Sequence, residues 1–253
     1  MNHDEPSRVV SNLLRVEVQT PLWRVFPVSR LLEVCTTNEL ALVSPSRWED
    51  PYENFLSQCT VAIGTEVGSL ASLTRGAVGQ CWTRQETESD ATWRIYAPRE
   101  ERGIRVRVTA IDLLKTIWDE NPLDANLSCF LGAVNYWPTD QIHDWVKNLK
   151  VGDALLESSG KAIAETLLVK RNEFAHENEV RLLHFKHGVD EARETVRRFP
   201  CDPNSLIMEM MLDPRLSRTE ADSLTKLIRC AGYQGKLNHS ALYRAPSFGP
   251  SSL

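Results

Sequence analysis

The sequence predicts a mixed α+β fold with a bent or split central sheet and inserted helices. Three observations predict it. Short apolar runs of strand length recur along the chain, helical stretches of unequal length fall between them, and no internal repeat is visible. Many strands with irregular helical insertions do not fit a regular doubly wound sheet. The 253 residues carry 42% hydrophobic and 25% charged side chains, enough for a sizeable core. One domain is expected over residues 20–244, with an N-terminal arm or leading helix at 1–19 and a flexible tail at 245–253, where Pro, Gly and Ser accumulate.

Leu22 to Phe26 reads as a strand, Val28 to Thr36 as a short helix with Leu31, Leu32 and Cys35 on one face, and Leu40 to Val43 as a strand. In SPSRWEDPYENFL two prolines bracket an acidic and aromatic cluster, which neither period can continue, so a structured loop is expected. There Asp50 has the chemistry of a helix cap, with Pro51 at the first helical position and Glu53 completing a capping box. A strand from Val78 to Trp82, a helix opening at Ser89 or Asp90, a strand from Ile104 to Val108 and a helix from Ile111 to Trp118 follow. Then come a strand from Phe130 to Trp137 and two helices, Thr139 to Leu149 and Asp153 to Phe174. Strands at 179–185, 194–199 and 206–212, a helix from Arg218 to Ala231 closed by Gly232, and a strand near 237–243 complete the chain.

With 29 Lys and Arg against 34 Asp and Glu, the net charge of −5 provides no global basic field for non-specific nucleic-acid binding. The N-terminus shows no secretory pattern and no run of about 18 apolar residues occurs, so a cytoplasmic protein without a membrane span is expected. Six scattered cysteines without C-x-x-C spacing read as reduced thiols. No H-E-x-x-H, glycine-rich phosphate loop or G-x-S-x-G is present, and no metal site is expected. A nuclease would need Asp50, Glu53, Glu177, Glu179 and a lysine such as Lys170 around Mg²⁺, and no compact motif singles that set out.

The segments LWRVF (22–26), SRWEDPYE (46–53), CWTRQETESDATWRIYA (81–97), RGIRVRV (102–108), a strand reaching Tyr136 and HENEVRLL (176–183) occur in an order that resembles the bacterial family of unknown function DUF2971. The resemblance runs from about residue 20 to 243, with Arg105 and Arg107 departing from the apolar or small residues that the family tends to carry. In outline the chain also resembles the ADP-ribosyltransferase superfamily, which implies NAD as substrate and cleavage of its nicotinamide–ribose bond. By that resemblance Arg24 contacts the ribose or pyrophosphate, Trp82 and Trp93, with ten residues between them, hold nicotinamide, and Thr83 and Tyr96 complete the NAD contacts. Glu179 would then stabilise the oxocarbenium charge while Glu177 orients the acceptor or acts as general base. Trp48, Asp50 and Glu53 would support the site from beneath, the two acids fixing Arg24.

Bacterial families of this kind resemble toxin or phage-defence components, which implies a protein or nucleic-acid acceptor and an antitoxin or other bacterial partner. Each assignment has a plainer alternative. The tryptophans can be core, Glu179 can pair with Arg181 on the same strand face, and the cleft can hold a nucleotide or peptide without catalysis.

Overall fold

The structure, a computed structural model, describes residues 5–63, 66–97, 101–118, 125, 127–148, 160–186 and 195–246. Its strands are β1 (Leu13–Leu14), β2 (Pro21–Pro27), β3 (Glu39–Val43), β4 (Thr60–Ile63), β5 (Glu66–Ser69), β6 (Ala77–Thr83) and β7 (Gly103–Thr109). They continue with β8 (Cys129–Ala133), β9 (Asn135–Trp137), β10 (Val169–Arg171), β11 (Glu179–Phe185), β12 (Val196–Pro200), β13 (Glu209–Leu212) and β14 (Lys236–His239). Parallel and antiparallel pairs are mixed among them, and helices are interspersed, so the fold is α+β.

The chain divides into two compact units that interleave in sequence: Met1–Leu22, Glu39–Gln85 and Thr109–Cys201 in the first, and Trp23–Asn38, Glu86–Val108 and Asp202–Leu253 in the second. The expected arm contains a helix, Glu5–Ser11, and β1, which pairs with β8 in the first unit. In that unit β11 lies between β6 and β8, antiparallel to both, and every residue of β11 is buried. Burial on both faces explains its run of Val180, Leu182 and Leu183 without the alternation of a one-sided strand. In the second unit β7 adjoins β2 and runs antiparallel to β13, which pairs in parallel with β14. The helix Arg218–Cys230 has a full capping box from Ser217 and Glu220, and Gly232 follows it at φ 101°, a conformation suited to glycine.

Two expectations around the site need correction. The strand expected over 130–137 breaks at Val134, because Val134 N–H donates to Glu179 O while Asn135 N–H donates to Leu168 O. The chain thereby changes partner, with β8 on β11 and β9 parallel to β10. The long helix expected over 153–174 is, among the described residues, only Lys161–Thr166, followed by β10 and the 3₁₀ helix Asn172–Glu177 (residues 149–159 lie outside the described set). Its end is set by carbonyls that find partners elsewhere: Leu167 O accepts from Arg181 Nη1 at 2.7 Å and Leu168 O from Asn135 N at 2.8 Å. Leu168 also packs so closely on β8 that a Cβ on Gly132 would lie 2.2 Å from it. The expected tail beyond residue 246 lies outside the described residues.

Candidate functional site

Glu179 opens β11, whereas Glu177 ends the preceding 3₁₀ helix instead of lying on an extended strand with it. Between them Asn178 adopts the left-handed conformation at φ 45°, which asparagine tolerates better than most residues. The turn is held on several sides. Thr83 Oγ1 donates to Glu177 O at 2.6 Å, Arg84 Nε donates to Asn178 Oδ1 at 3.1 Å, and the Tyr136 hydroxyl accepts from Glu179 N at 2.8 Å. Thr83 faces Glu179 across the β6–β11 pair, and Tyr136 faces Lys170 across β9–β10. Strand register thus brings these four residues together.

The two glutamates are gathered by a lysine. Lys170 Nζ lies 2.6 Å from Glu177 Oε2, 2.7 Å from Glu53 Oε1 and 3.5 Å from Glu179 Oε2. Arg181, fully buried, donates from Nε to Glu179 Oε1 at 2.9 Å and from Nη2 to Glu179 Oε2 at 3.1 Å and Glu53 Oε1 at 2.8 Å. Its guanidinium stacks on Trp48 at 4.4 Å, and the Lys170 ammonium sits 4.5 Å from the Phe174 ring centre. The pairing of Glu179 with Arg181, the plainer reading of the sequence, is therefore present. Glu53 reaches the cluster from the 3₁₀ helix Pro51–Gln58.

Burial alone would raise the Glu179 carboxyl, but Arg181 and Lys170 outweigh it and hold the group down at about 2. At Glu53 burial outweighs the same two cations, and the carboxyl is pushed above its ordinary value. Burial would lower Lys170, yet the surrounding carboxylates raise it, so its ammonium stays charged. Burial likewise raises the Tyr136 phenol and keeps it neutral. Glu177 is the carboxylate of this group with the most exposed side chain, 21% against 5% for Glu179 and 7% for Glu53.

Asp50 caps its 3₁₀ helix, accepting from Tyr52 N at 3.1 Å, with Pro51 at the start as the sequence predicts. The expected capping box is not formed, since the Glu53 carboxylate is engaged by Lys170 and Arg181. The Asp50 carboxylate also binds Arg171 at 3.1 Å, whose guanidinium lies between Tyr52 and Phe174 at 4.8 and 5.4 Å. Beside it a groove of about 380 Å³ is lined by residues including Tyr52, Phe55, Ile142, His143 and Val146.

The remaining NAD candidates divide between the units. In the first, Trp82 is 3% exposed and its indole N–H donates to Gln80 Oε1 at 2.9 Å. In the second, Trp93 is 1% exposed, packs with Val25 and Ala97, and donates to Glu88 Oε2 at 3.2 Å. Both indoles are core side chains in their own unit. Arg24 is half-buried with its guanidinium 5.1 Å from the Phe26 ring centre, and Tyr96 is 45% exposed. Arg105, buried on β7, stacks on Trp23 and donates to Glu86 O at 2.8 Å.

The sequence singles out Lys170 only as a companion to a metal site and Arg181 only as a structural partner of Glu179. The signal available was the charge of KR at 170–171 set between apolar LLV and a phenylalanine, which is hard to bury unless acids meet it. Among the described residues no group of three or more His, Cys, Asp or Glu could hold a metal ion, and the ammonium of Lys170 lies among the three glutamates instead. No described helix is long and apolar enough to cross a membrane. None of the six cysteines is bridged.

No family model and no curated protein matches the chain. Solved structures of Thermus sp. 2.9 DarT have a similar chain path. The complex with ADP-ribosylated ssDNA gives a TM-score of 0.39 at 12% identity, covering 89% of this chain and 96% of that one. The complex with NAD+ gives 0.37 at 12% (89% and 97%), and the complex with carba-NAD+ 0.37 at 11% (88% and 96%). These are coarse likenesses of chain path.

Proposed function

We propose that the protein is an NAD-dependent ADP-ribosyltransferase-like enzyme in which Glu177 is the carboxylate that meets substrate and Glu179 is the anchored charge behind it. The observation that carries this reading is the Glu-x-Glu pair itself. Glu179 is held ionised by Arg181 and Lys170, while Glu177 reaches the edge of the same cluster with its side chain partly open. A fixed negative charge in a poorly hydrated setting stabilises cationic character as the nicotinamide–ribose bond breaks. Nicotinamide leaves with the electron pair of that bond. The acceptor's nucleophile supplies the new pair to the ribose carbon, and Glu177 takes the proton the nucleophile releases.

The assignment of Arg24, Trp82, Thr83, Trp93 and Tyr96 to NAD belongs to this proposal. The acceptor is a protein or a nucleic acid, and the toxin or defence role with an antitoxin partner is part of the same reading. Purified protein is assayed for nicotinamide release from NAD, alone, with single-stranded DNA, and with cell extract. The wild type should release nicotinamide in at least one condition, and Glu177→Gln should fold and bind NAD while losing on the order of 10²-fold or more in rate. Absence of release in all three retires the transferase. A second reading, a nucleotide-binding protein without catalysis, draws on the full engagement of Glu179 and the closure of both indoles. Saturable NAD binding without turnover would establish it.

A further inference from the structure

We propose that Lys170 is a positioning residue for Glu177, and this rests on the reading of Glu177 above. Among the described residues, the one hydrogen-bond partner of the Glu177 carboxylate is the Lys170 ammonium at 2.6 Å. Glu177 lies in a 3₁₀ turn followed by a left-handed Asn178, a backbone that by itself leaves the side-chain torsions free. What confines the carboxylate is a cation that is itself confined. Lys170 is 8% exposed at its side chain, and its ammonium is held from behind by Glu53 at 2.7 Å and Glu179 at 3.5 Å, with the Phe174 ring on another side.

Lysine suits this place because its compact ammonium has three donors, one for each carboxylate, where a planar guanidinium has a fixed fork. Glu53 itself is held a second time by Arg181, which also binds the Leu167 carbonyl. The chain of contacts from core to edge therefore runs from Arg181 through Glu53 and Glu179 to Lys170 and then to Glu177. Site precision of this kind depends on groups behind the reacting side chain, and small displacements of a reacting group are costly in rate.

Lys170→Met alone leaves three carboxylates around an apolar tip and can fail to fold, so the test uses the charge-compensated pair Lys170→Met with Glu53→Gln, together with Lys170→Arg. Folding is checked by circular dichroism. The location of Glu177 is read from crystal structures of wild type and variants, and kcat and KM are read from nicotinamide release. The expected result is a Glu177 carboxylate displaced from its wild-type place in the double variant, kcat lowered at least 10-fold with KM for NAD changed less than 3-fold, and part of the loss restored by Lys170→Arg. A carboxylate that keeps its place, or one that moves while kcat stays at the wild-type level, overturns the proposal. Absence of turnover by the wild type defeats the transferase reading alone, because the place of Glu177 in the variant crystals still decides whether Lys170 positions it.

Discussion

Each unit buries an arginine–carboxylate pair, and the two pairs are built to different ends. In the second unit Asp213, fully buried, accepts from Arg215 Nη2 at 2.6 Å and Nε at 2.8 Å, from Arg215 N at 2.9 Å and from Gly103 N at 3.1 Å. Arg215 in turn donates to Ala97 O at 2.7 Å. One positive charge meets one negative charge, and the donors close on a loop. In the first unit three carboxylates, Glu53, Glu177 and Glu179, share two cations, Lys170 and Arg181. A balanced, closed pair pins backbone. An unbalanced group with one member at the edge leaves negative charge for something else to meet, and perturbed, charge-rich clusters of that sort concentrate at functional sites.

The largest expected effect follows from breaking the first group at its buried end. Arg181→Met removes the partner of two buried carboxylates, strips Leu167 O of its donor and takes the cation off Trp48, so chemical denaturation should show a loss of about 3–5 kcal/mol. Asp213→Asn should cost less, about 1–3 kcal/mol, because the amide keeps an acceptor for Gly103 or Arg215 N–H and the Arg215 side chain retains 12% exposure and the Ala97 carbonyl. Equal losses in the two variants would erase the distinction between an unbalanced cluster and a closed pin.

The pH dependence sharpens the same contrast. Glu179 titrates at about 2 in the folded protein against an ordinary 4.5, so the unfolded chain binds the proton more readily. Its contribution to stability is present above about pH 4.5 and is lost as pH falls toward 2. Asp213 is also lowered, with Arg215 and backbone N–H groups outweighing burial, and has the same sign. Glu53 is raised, chiefly by burial, so its contribution is full below the ordinary value and declines as pH rises through its folded value. Unfolding measured from pH 5 to pH 2 should therefore show a steeper acid limb for wild type than for Glu179→Gln. An unchanged slope would mean that Glu179 is not the ionised anchor of the cluster.

How much of this could be read in the sequence depends on whether the interaction is local. The strands β2, β3, β6, β7 and β11 follow from apolar runs bounded by turn residues, and the cap of Asp50 before Pro51 follows from neighbours in the chain. The break at Val134 and the early end of the 161–166 helix do not, because both are set by carbonyl and N–H partners distant in the sequence. The same holds within the site. Glu177 and Glu179 stand out as a motif, and Arg181 lies two residues away on one strand face. Lys170 and Glu53 are joined to them only by the parallel pairing of β9 with β10 and by the approach of the 51–58 helix, which no local period encodes.

The smallest expected effect separates the two tasks of Asp50. Its Oδ1 atom accepts from Tyr52 N at 3.1 Å as a cap, and its carboxylate also binds Arg171, a side chain 30% exposed and flanked by two aromatic rings. Asparagine caps a helix as well as aspartate does but carries no charge, so Asp50→Asn keeps the first task and weakens the second. A partly exposed ion pair is worth about 0–1 kcal/mol and fades with added salt, whereas loss of a cap costs about 1 kcal/mol whatever the ionic strength. Asp50→Ala should therefore lose about 1 kcal/mol or slightly more, Asp50→Asn only a few tenths of that, and the small penalty of the amide should shrink between roughly 0.05 and 1 M salt. If Asp50→Asn costs as much as Asp50→Ala at low salt and both costs fall away in high salt, the bond to Tyr52 N is not what the carboxylate contributes, and the anchoring of Arg171 between Tyr52 and Phe174 is the task that matters.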